Sequence, residues 1–305
     1  MTKATSPTDP DIETEWAAKI LSDACATLGL DCSGAKLIKF TNNAVWSLAS
    51  ASVVVRIPGS AAVRDRVPKV VAVARWLADY NMPSARLIEE FPQPLRLDQH
   101  EVTFWHKVSP SATAAPPNGH DLGRILRRYH ALPDPAFELP PWQPLSGIRQ
   151  RIAEQDVLEP RDQHFLENKC DETEELLARI DFQLPSGPIH GDGFAGNLIP
   201  GPLGPVICDF DSAAYGPREW DLAPVALGNI RFQYATNYHQ QLVEEYGFDI
   251  TRWRHFPVLR QLRELQLVTS VLPVLRTNPT LTEEWQNRFR SFRDGDTQTK
   301  WSPYR

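Results

Sequence analysis

The sequence predicts an α+β protein with two parts, a small N-terminal lobe rich in strands and a larger, mainly helical C-terminal lobe. Runs of β-branched residues fall before residue 108, whereas helical periodicity dominates after residue 120. Residues 109–119 are rich in proline, serine and alanine and have no periodicity. Strands followed by helices across such a linker are typical of an α+β arrangement. We therefore expect lobes at residues 1–108 and 120–305, joined by residues 109–119.

The first lobe shows one helix, then strands, then a second helix. Apolar residues at helical spacing predict a helix from about residue 12 to Gly29, and a second helix is expected over residues 67–81. The strand candidates share β-branched residues between polar breaks; they are residues 35–40, 52–58, 85–91 and 101–108. Residues 41–50 are expected to form a turn between the first two strands.

The second lobe is predicted to contain helices and one hairpin. The helical segments are residues 120–132, 146–158 and 161–180, with several more after residue 220. Short strands at residues 197–200 and 205–210 flank Gly-Pro-Leu-Gly and predict a hairpin centred near residue 203. This register places Asn197 opposite Asp209. The last fifteen residues resemble a polar tail.

Composition and charge exclude several functional classes. The net charge of −6 gives no overall basic field for nucleic acid. The four cysteines lack paired metal-ligand spacing, which favours a reducing, cytoplasmic setting. No run approaches the roughly 18 apolar residues that span a bilayer, and the N-terminus lacks an apolar signal core. We therefore expect a cytoplasmic protein that binds neither nucleic acid nor membrane.

One glycine-rich turn concentrates the polar groups that chemistry needs. It contains His190, Asp192 and Asn197, and two carboxylates, Asp209 and Asp211, follow a short apolar run. Facing residues of an antiparallel pair have Cα atoms about 4.5–5.5 Å apart, so Asn197 and Asp209 could converge on Mg²⁺, which prefers oxygen ligands. Asp192 beside that ion could orient a hydroxyl and accept its proton. Singly these are common turn or core residues; together they favour a kinase-type site.

These motifs resemble a known family. The strings HGDGFAGN, residues 190–197, and VICDFDSAAYGPREWDLA, residues 206–223, are similar to the signature of the aminoglycoside phosphotransferase and choline kinase family. The resemblance covers about residues 35 to 275. It implies a bilobal protein-kinase-like fold and a Mg²⁺-dependent transfer of the γ-phosphoryl group of ATP or GTP to a hydroxyl group.

The resemblance also implies roles for residues of the second lobe. Asp192 would be the catalytic base, and His190 a scaffold residue of the catalytic loop. Asp221 would support that loop through hydrogen bonds. The implied metal ligands are Asn197, Asp209 and, beside them or at a second ion, Asp211.

The first lobe matches the family less closely. Thr41 and Asn43 lie in the segment that resembles the nucleotide-covering turn, although the expected glycines are absent. Arg56 stands where kinases keep a phosphate-contacting lysine, and its guanidinium retains the charge and the donors that phosphate needs. Trp105 and His106 fall near the strand that would lead to the purine-binding hinge; aromatic residues there are as often ordinary core.

The helix over residues 67–81 lacks the acidic partner that a kinase provides for the strand cation. Lys69 and Val70 occupy the positions where a glutamate is expected. Either another acid, such as Asp65, pairs with Arg56, or phosphate alone holds this cation.

The acceptor is expected to bind in the second lobe, facing Asp192. The acids of residues 171–176 would suit an amine, although a solvated helix face is the alternative; Glu264 among apolar residues would suit a more apolar compound. The leading interpretation is an antibiotic phosphotransferase of the aminoglycoside type, with a nucleotide and a small hydroxylated substrate as its partners. The alternatives are a kinase of an endogenous amino alcohol or sugar, a nucleotide-binding pseudokinase and a metal-dependent hydrolase.

Overall fold

The computed structural model describes residues 10–109 and 115–304, with side chains from residue 15 onward. Part of the predicted linker, residues 110–114, lies outside the described residues. The described chain forms two compact units. Unit 1 comprises the residues up to 116 together with residues 135–138 and 198–213. Unit 2 comprises residues 117–134, residues 139–197 and the residues from 214 onward.

The described elements confirm the predicted α+β class. The strands are β1 (Lys36–Phe40), β2 (Asn43–Ser47), β3 (Val53–Pro58), β4 (Leu95–Leu97), β5 (His100–His106), β6 (Gly187–Ile189), β7 (Leu198–Ile199), β8 (Val206–Ile207) and β9 (Ala214–Gly216). The α-helices are α1 (Pro10–Leu28), α2 (Ala61–Arg64), α3 (Val67–Asp79), α4 (Gly119–His130), α5 (Ser146–Glu154), α6 (Pro160–Leu177), α7 (Glu219–Arg231), α8 (Tyr238–Tyr246), α9 (Phe256–Thr269) and α10 (Thr282–Arg293).

Unit 1 is built on an antiparallel sheet of five strands in the order β1-β2-β3-β5-β4. Alternate residues of β3 point to one face, so Val53, Val55 and Ile57 are buried. Apolar residues of α1, among them Leu21 and Ala24, belong to the same buried cluster. This helix therefore contributes its apolar face to the core of the sheet.

Two predictions for the five-stranded sheet of unit 1 were wrong. Residues 41–50 are not a simple turn, because Asn43–Ser47 forms β2 and pairs on both sides in the sheet. Residues 85–91 do not form a strand; Leu87 makes only an isolated bridge with Trp105, and Leu95–Leu97 pairs with β5 instead. In both places, pairing with neighbouring strands decides the outcome, and local residue preference does not report it.

Helix α3 follows the predicted pattern. Val70, Val73, Ala74 and Leu77 are all buried, as expected for residues spaced at i, i+3, i+4 and i+7. Lys69 is next to Val70 and lies on a different part of the helix surface. The apolar stripe thus fixes which way Lys69 points.

The predicted hairpin exists, but its register differs by one residue from the expected one. Leu198 pairs with Ile207 and Ile199 pairs with Val206. Asn197 and Asp209 lie outside this ladder, because Asn197 ends a 3₁₀ turn and Asp209 follows β8. The expectation that these two residues face each other as a strand pair was therefore wrong.

Unit 2 contains the helices from α4 onward and the short antiparallel pair β6-β9. The predicted helices over residues 120–132, 146–158 and 161–180 correspond to α4, α5 and α6. Helix α4 begins with a capping box, in which Asn118 accepts from the Asp121 amide and Asp121 accepts from the Asn118 amide. No described helix combines the length and the apolar character that crossing a bilayer requires.

The C-terminal segment is not a polar tail. Helix α10 extends to Arg293, and Trp301 is only 3% exposed. The Trp301 amide donates to the Arg231 carbonyl at 2.7 Å, and the Arg231 guanidinium carbon lies 4.5 Å from the centroid of the indole ring. A single buried tryptophan therefore anchors a segment whose composition is otherwise polar.

Candidate active site

The loop after β6 is anchored to the start of α7. The Asp221 carboxylate accepts hydrogen bonds from the amides of His190 and Gly191, both at 2.7 Å. The Trp220 indole N–H donates to the Gly191 carbonyl at 2.9 Å. Gly191 has φ of 82°, a left-handed conformation that glycine adopts without steric cost. Two amides, one carbonyl and one special dihedral angle therefore fix the path of the chain immediately before Asp192.

Asp221 is fully buried, and hydrogen bonds stabilise its charged carboxylate. Burial by itself would raise the pKa of this carboxyl, but the hydrogen bond and the electrostatic attraction of His130, followed by those of His190 and its amide, outweigh burial and hold the pKa below the usual value. His130 Nε2 lies 2.9 Å from Asp221 Oδ2, and its Nδ1 lies 2.8 Å from the Tyr246 hydroxyl. Asp221 is thus an ionised buried anchor for the loop.

Asp192 presents a partly exposed carboxylate with both oxygens in defined contacts. Its side chain is 30% exposed. The Arg263 guanidinium lies 2.8 Å from Oδ1, and Asn197 Nδ2 donates to Oδ2 at 3.2 Å and to the Asp192 carbonyl at 2.9 Å. Arg263 in turn donates to Gln266 Oε1 at 2.6 Å, one turn along α9. The carboxylate is therefore held in one orientation while part of it remains accessible.

Arg263 is a site residue that the sequence analysis missed. It lies 71 positions after Asp192, in a helix whose arginines have no distinguishing motif. His190, by contrast, is completely buried, and its ring centroid lies 6.3 Å from that of Tyr129. This position fits a packed scaffold residue of the loop.

In unit 1, a cation on the central part of the sheet contacts two carboxylates. The side chain of Arg56 on β3 is 13% exposed. Its Nη2 forms an ion pair with Asp211 Oδ2 and lies 3.7 Å from Asp209 Oδ1. Among the described residues, Asp65 is not within ion-pair distance of Arg56, so the suggested alternative partner was wrong. The missing acidic partner comes from residues 209–211, far along the chain.

Lys69 contacts the same segment through its backbone. Its Nζ donates to the carbonyl of Asp211 at 2.6 Å and to that of Ala213 at 2.9 Å. Burial, followed by the charges of Arg66 and Arg56, lowers the pKa of Lys69 to about 8. Helix α3 thus provides a cation where a glutamate was expected, and this cation binds carbonyl oxygens.

Asp209 has an unusual backbone. Its φ of 68° and ψ of 70° are left-handed, which for a residue with a Cβ atom costs on the order of 1–3 kcal/mol. Aspartate tolerates this region better than most residues, and such outliers concentrate at functional sites. Its side chain is 41% exposed, against 14% for Asp211. Asp209 is therefore the more accessible of the two carboxylates.

The predicted metal ligands are taken one unit at a time. Within the described residues, no group of three or more histidine, cysteine, aspartate or glutamate side chains is arranged to hold a metal. Asn197 in unit 2 carries an amide oxygen and Asp209 in unit 1 a partly exposed carboxylate. Mg²⁺ commonly takes only one or two protein oxygens, with water and substrate phosphates completing its shell. The roles of Asn197 and Asp209 at the metal stay predictions.

The other predicted nucleotide contacts lie on or beside β2 and β5. Asn43 is buried in β2, and Thr41 is exposed just before it. The Trp105 ring is 7% exposed, and its N–H donates to Thr103 Oγ1 at 2.9 Å. His106 is exposed at the end of β5. Their roles at the nucleotide stay predictions.

The candidate substrate contacts are both engaged with arginines. Glu264 is 6% exposed, and its Oε1 lies 2.7 Å from Arg231 Nε and 2.9 Å from Arg260 Nε. In α6, Asp171 and Glu174 are exposed and pair with Arg149 at 2.7 and 2.9 Å. A substrate role for Glu264 or for residues 171–176 stays a prediction.

Comparison with known proteins identifies the family of the chain. A model of the phosphotransferase enzyme family (APH) matches residues 38–256, more than half of the 305 residues. Among solved structures, an amicoumacin kinase in complex with AMP-PNP, Ca²⁺ and Ami is similar with a TM-score of 0.69 at 15% identity, covering 95% of this chain and 98% of that one.

Two further structures show the same fold. The choline kinase LicA from Streptococcus pneumoniae has a TM-score of 0.64 at 13% identity, covering 91% of this chain and 98% of that one. APH(2″)-IIIa in complex with GDP and kanamycin has a TM-score of 0.63 at 14% identity, covering 91% and 99%. These likenesses confirm the predicted kinase-like fold.

Proposed function

Because the chain belongs to the phosphotransferase enzyme family and is a small-molecule kinase acting on hydroxyl groups, we propose that it transfers the γ-phosphoryl group of ATP or GTP to an antibiotic, in a Mg²⁺-dependent reaction. Phosphoryl transfer of this kind requires positioning and charge neutralisation more than covalent chemistry. The residues of the chain therefore have to orient the acceptor hydroxyl, hold the phosphates and accept one proton.

The environment of Asp192 is the observation that carries this proposal. Its carboxylate is partly exposed, is fixed by Arg263 and Asn197, and follows a loop that Asp221 anchors. A base needs an accessible oxygen in a fixed orientation, so that a hydroxyl can approach and transfer its proton. Asp192 would accept the proton of the acceptor hydroxyl as the hydroxyl oxygen bonds to the γ-phosphorus, while the bond from that phosphorus to the β–γ bridging oxygen breaks and the nucleoside diphosphate leaves.

Asn197 and Asp209 would supply oxygen ligands to the divalent cation. When bound, Mg²⁺ would neutralise charge on the phosphate chain. Arg56 would contact phosphate oxygens through its planar guanidinium. The predicted place of Asp211 at the metal remains a prediction, and its ion pair with Arg56 favours a different role.

The antibiotic acceptor is supported by similarity of fold and by chemistry. The kanamycin complex of APH(2″)-IIIa favours an aminoglycoside-type acceptor, whereas the choline kinase favours an amino alcohol. Both acceptors offer a hydroxyl group near an amine. Hydroxylated antibiotics are therefore tested first, and endogenous amino alcohols and amino sugars beside them.

Mass spectrometry provides the direct test. The protein is incubated with Mg²⁺, ATP or GTP and a panel of hydroxylated antibiotics, amino sugars and amino alcohols. We expect a mass gain of about 80 Da on one compound, which corresponds to one phosphoryl group. Asp192→Asn should lower turnover by at least about a hundredfold while nucleotide affinity is nearly unchanged. Turnover that survives this substitution would remove Asp192 as the base.

Nucleotide binding separates the kinase from a pseudokinase. Asp209→Ala should abolish the Mg²⁺ dependence of nucleotide binding, measured by titration calorimetry with and without the metal. Wild-type binding that ignores Mg²⁺, together with no mass gain on any compound, would favour a binding protein without catalysis.

A further inference from the structure

Arg56 is a mostly buried cation that needs a counter-charge. A guanidinium removed from water is costly unless carboxylates pair with it. Both carboxylates that contact it belong to residues 209–213, which we call the acidic segment. Helix α3 contributes no acid to this contact, because among the described residues only Asp209 and Asp211 lie within ion-pair distance of Arg56. The counter-charge of the strand cation is therefore in the acidic segment itself.

The two carboxylates of the acidic segment are placed differently. Asp211 is 14% exposed and pairs directly with the Arg56 guanidinium, whereas Asp209 is 41% exposed and stays 3.7 Å away from it. A cation arriving from solvent with a nucleotide can reach the exposed carboxylate more easily. A buried carboxylate already paired with arginine would have to give up that pair first. The two positions therefore suit different roles, with Asp211 as a counter-ion of Arg56 and Asp209 as a metal ligand.

Lys69 holds the backbone of the same segment. Its ammonium group donates to the carbonyls of Asp211 and Ala213 at 2.6 and 2.9 Å. Within the described residues, no carboxylate lies within ion-pair distance of Nζ. Its hydrogen bonds therefore restrain the chain rather than neutralise an acid.

This restraint acts close to the left-handed Asp209. A residue in that region of backbone space persists only when its surroundings over-determine it. The bonds from Lys69 begin two residues later and fix the segment on one side, and β8 fixes it on the other. The position of the Asp209 carboxylate therefore depends on helix α3.

We propose that Asp211 is the counter-ion that orients Arg56 toward nucleotide phosphate, and that Lys69 is a positioning residue that holds Asp209 ready for the metal. The proposal rests on the proposed function, in which Arg56 contacts phosphate and Asp209 binds the metal. It assigns to Asp211 and Lys69 the work that kinases give to a helix glutamate.

The first test measures nucleotide affinity with Mg²⁺ and with EDTA. The probe is AMP-PNP or GMP-PNP, whichever the wild-type protein binds more tightly. The quantity compared between variants is the Kd measured in EDTA divided by the Kd measured with Mg²⁺. Asp211→Asn should weaken binding under both conditions and leave the ratio within about twofold of wild type, since a counter-ion acts through Arg56 and not through the metal.

The double variant Arg56→Gln with Asp211→Asn should bind no more weakly than Arg56→Gln alone, because coupled residues are not additive. A ratio near one in Asp211→Asn, together with additive effects in the double variant, would make Asp211 a metal ligand and overturn its assignment. Arg75→Gln with Glu89→Gln, an exposed ion pair of the same unit, is the control and should leave both Kd values unchanged.

The second test concerns Lys69. Lys69→Met should lower the ratio of the Kd in EDTA to the Kd with Mg²⁺ at least fivefold, because the metal-binding carboxylate of Asp209 is no longer held in place. Lys36→Met, at an exposed position of β1, should leave the ratio unchanged. If Lys69→Met lowers the unfolding temperature but keeps the wild-type ratio, Lys69 is only a stabilising residue and its positioning role is refuted.

Failure of the proposed function would be recognised separately. If wild type binds neither nucleotide, the kinase proposal fails. The counter-ion is then tested in the free protein by a double-mutant cycle of Arg56→Gln and Asp211→Asn, using urea unfolding. A coupling of at least tenfold in the unfolding equilibrium would support the buried pair, and a coupling no larger than that of Arg75 and Glu89 would refute it.

Discussion

Replacing Asp221 by asparagine should destabilise the protein strongly although the side chain keeps its size. The carboxylate is fully buried and accepts three hydrogen bonds, from the amides of His190 and Gly191 and from His130. Asparagine has one acceptor oxygen, and its nitrogen can only donate. In either orientation of the amide, the nitrogen faces the N–H of His190 or of Gly191.

The magnitude follows from these three contacts. Hydrogen bonds to charged groups contribute about 1.5–3 kcal/mol each, and neutral ones about 0.5–1.5 kcal/mol. The substitution weakens the retained bonds and turns at least one contact into a pair of donors. Removing one partner of a buried charged pair typically costs about 3–5 kcal/mol. We therefore expect Asp221→Asn to lower the free energy of unfolding by about 3–5 kcal/mol, a large part of the stability of a typical domain.

Urea unfolding followed by circular dichroism measures this loss. Asp181→Asn is the matched control, because Asp181 is exposed and the chemical change is identical. The control should stay within about 0.5 kcal/mol of wild type. A loss of less than about 1 kcal/mol in Asp221→Asn, with an unchanged urea dependence, would show that the buried charge does not anchor the loop.

Three further outcomes are expected. Because the pKa of Asp221 is lower in the folded than in the unfolded protein, its contribution to stability is present above about pH 4 and is lost as pH falls below that value. The stability of Asp221→Asn should therefore lack this loss at acid pH. The same dependence of stability on pH in the variant and in wild type would contradict the prediction. Gly193→Ala should destabilise by about 1–3 kcal/mol and lower turnover in the phosphorylation assay, because a Cβ atom would lie 2.5 Å from the Asp221 carbonyl; wild-type behaviour in urea and in turnover would exclude that clash. Arg263→Gln should lower kcat about tenfold or more, because Asp192 would be misplaced, while nucleotide affinity stays unchanged. Arg254→Gln, at an exposed position near the same helix, is the control and should leave kcat unchanged. Equal kcat values in the two variants would refute the positioning role of Arg263.

Local patterns in the sequence predicted much of the fold correctly. The apolar stripe of α3 and the strands β1, β3 and β5 follow from periodicity and β-branched runs, because neighbouring residues decide these elements. The strand β2 escaped prediction, since its polar start resembles a turn and only pairing with β1 and β3 stabilises it. For residues 85–91 the error has the opposite sign. Their composition predicts a strand, but in the structure Leu87 makes only an isolated bridge.

The amino-acid sequence alone determined the order of polar groups in the catalytic loop and in residues 209–211, because these groups lie close together along the chain in two short segments. Only the tertiary structure decided their partners. Arg56 and Asp211 are 155 residues apart, and Asp192 and Arg263 are 71 apart. No local preference reports such distances; they are set when buried charges select counter-charges during packing, and that selection depends on the whole fold.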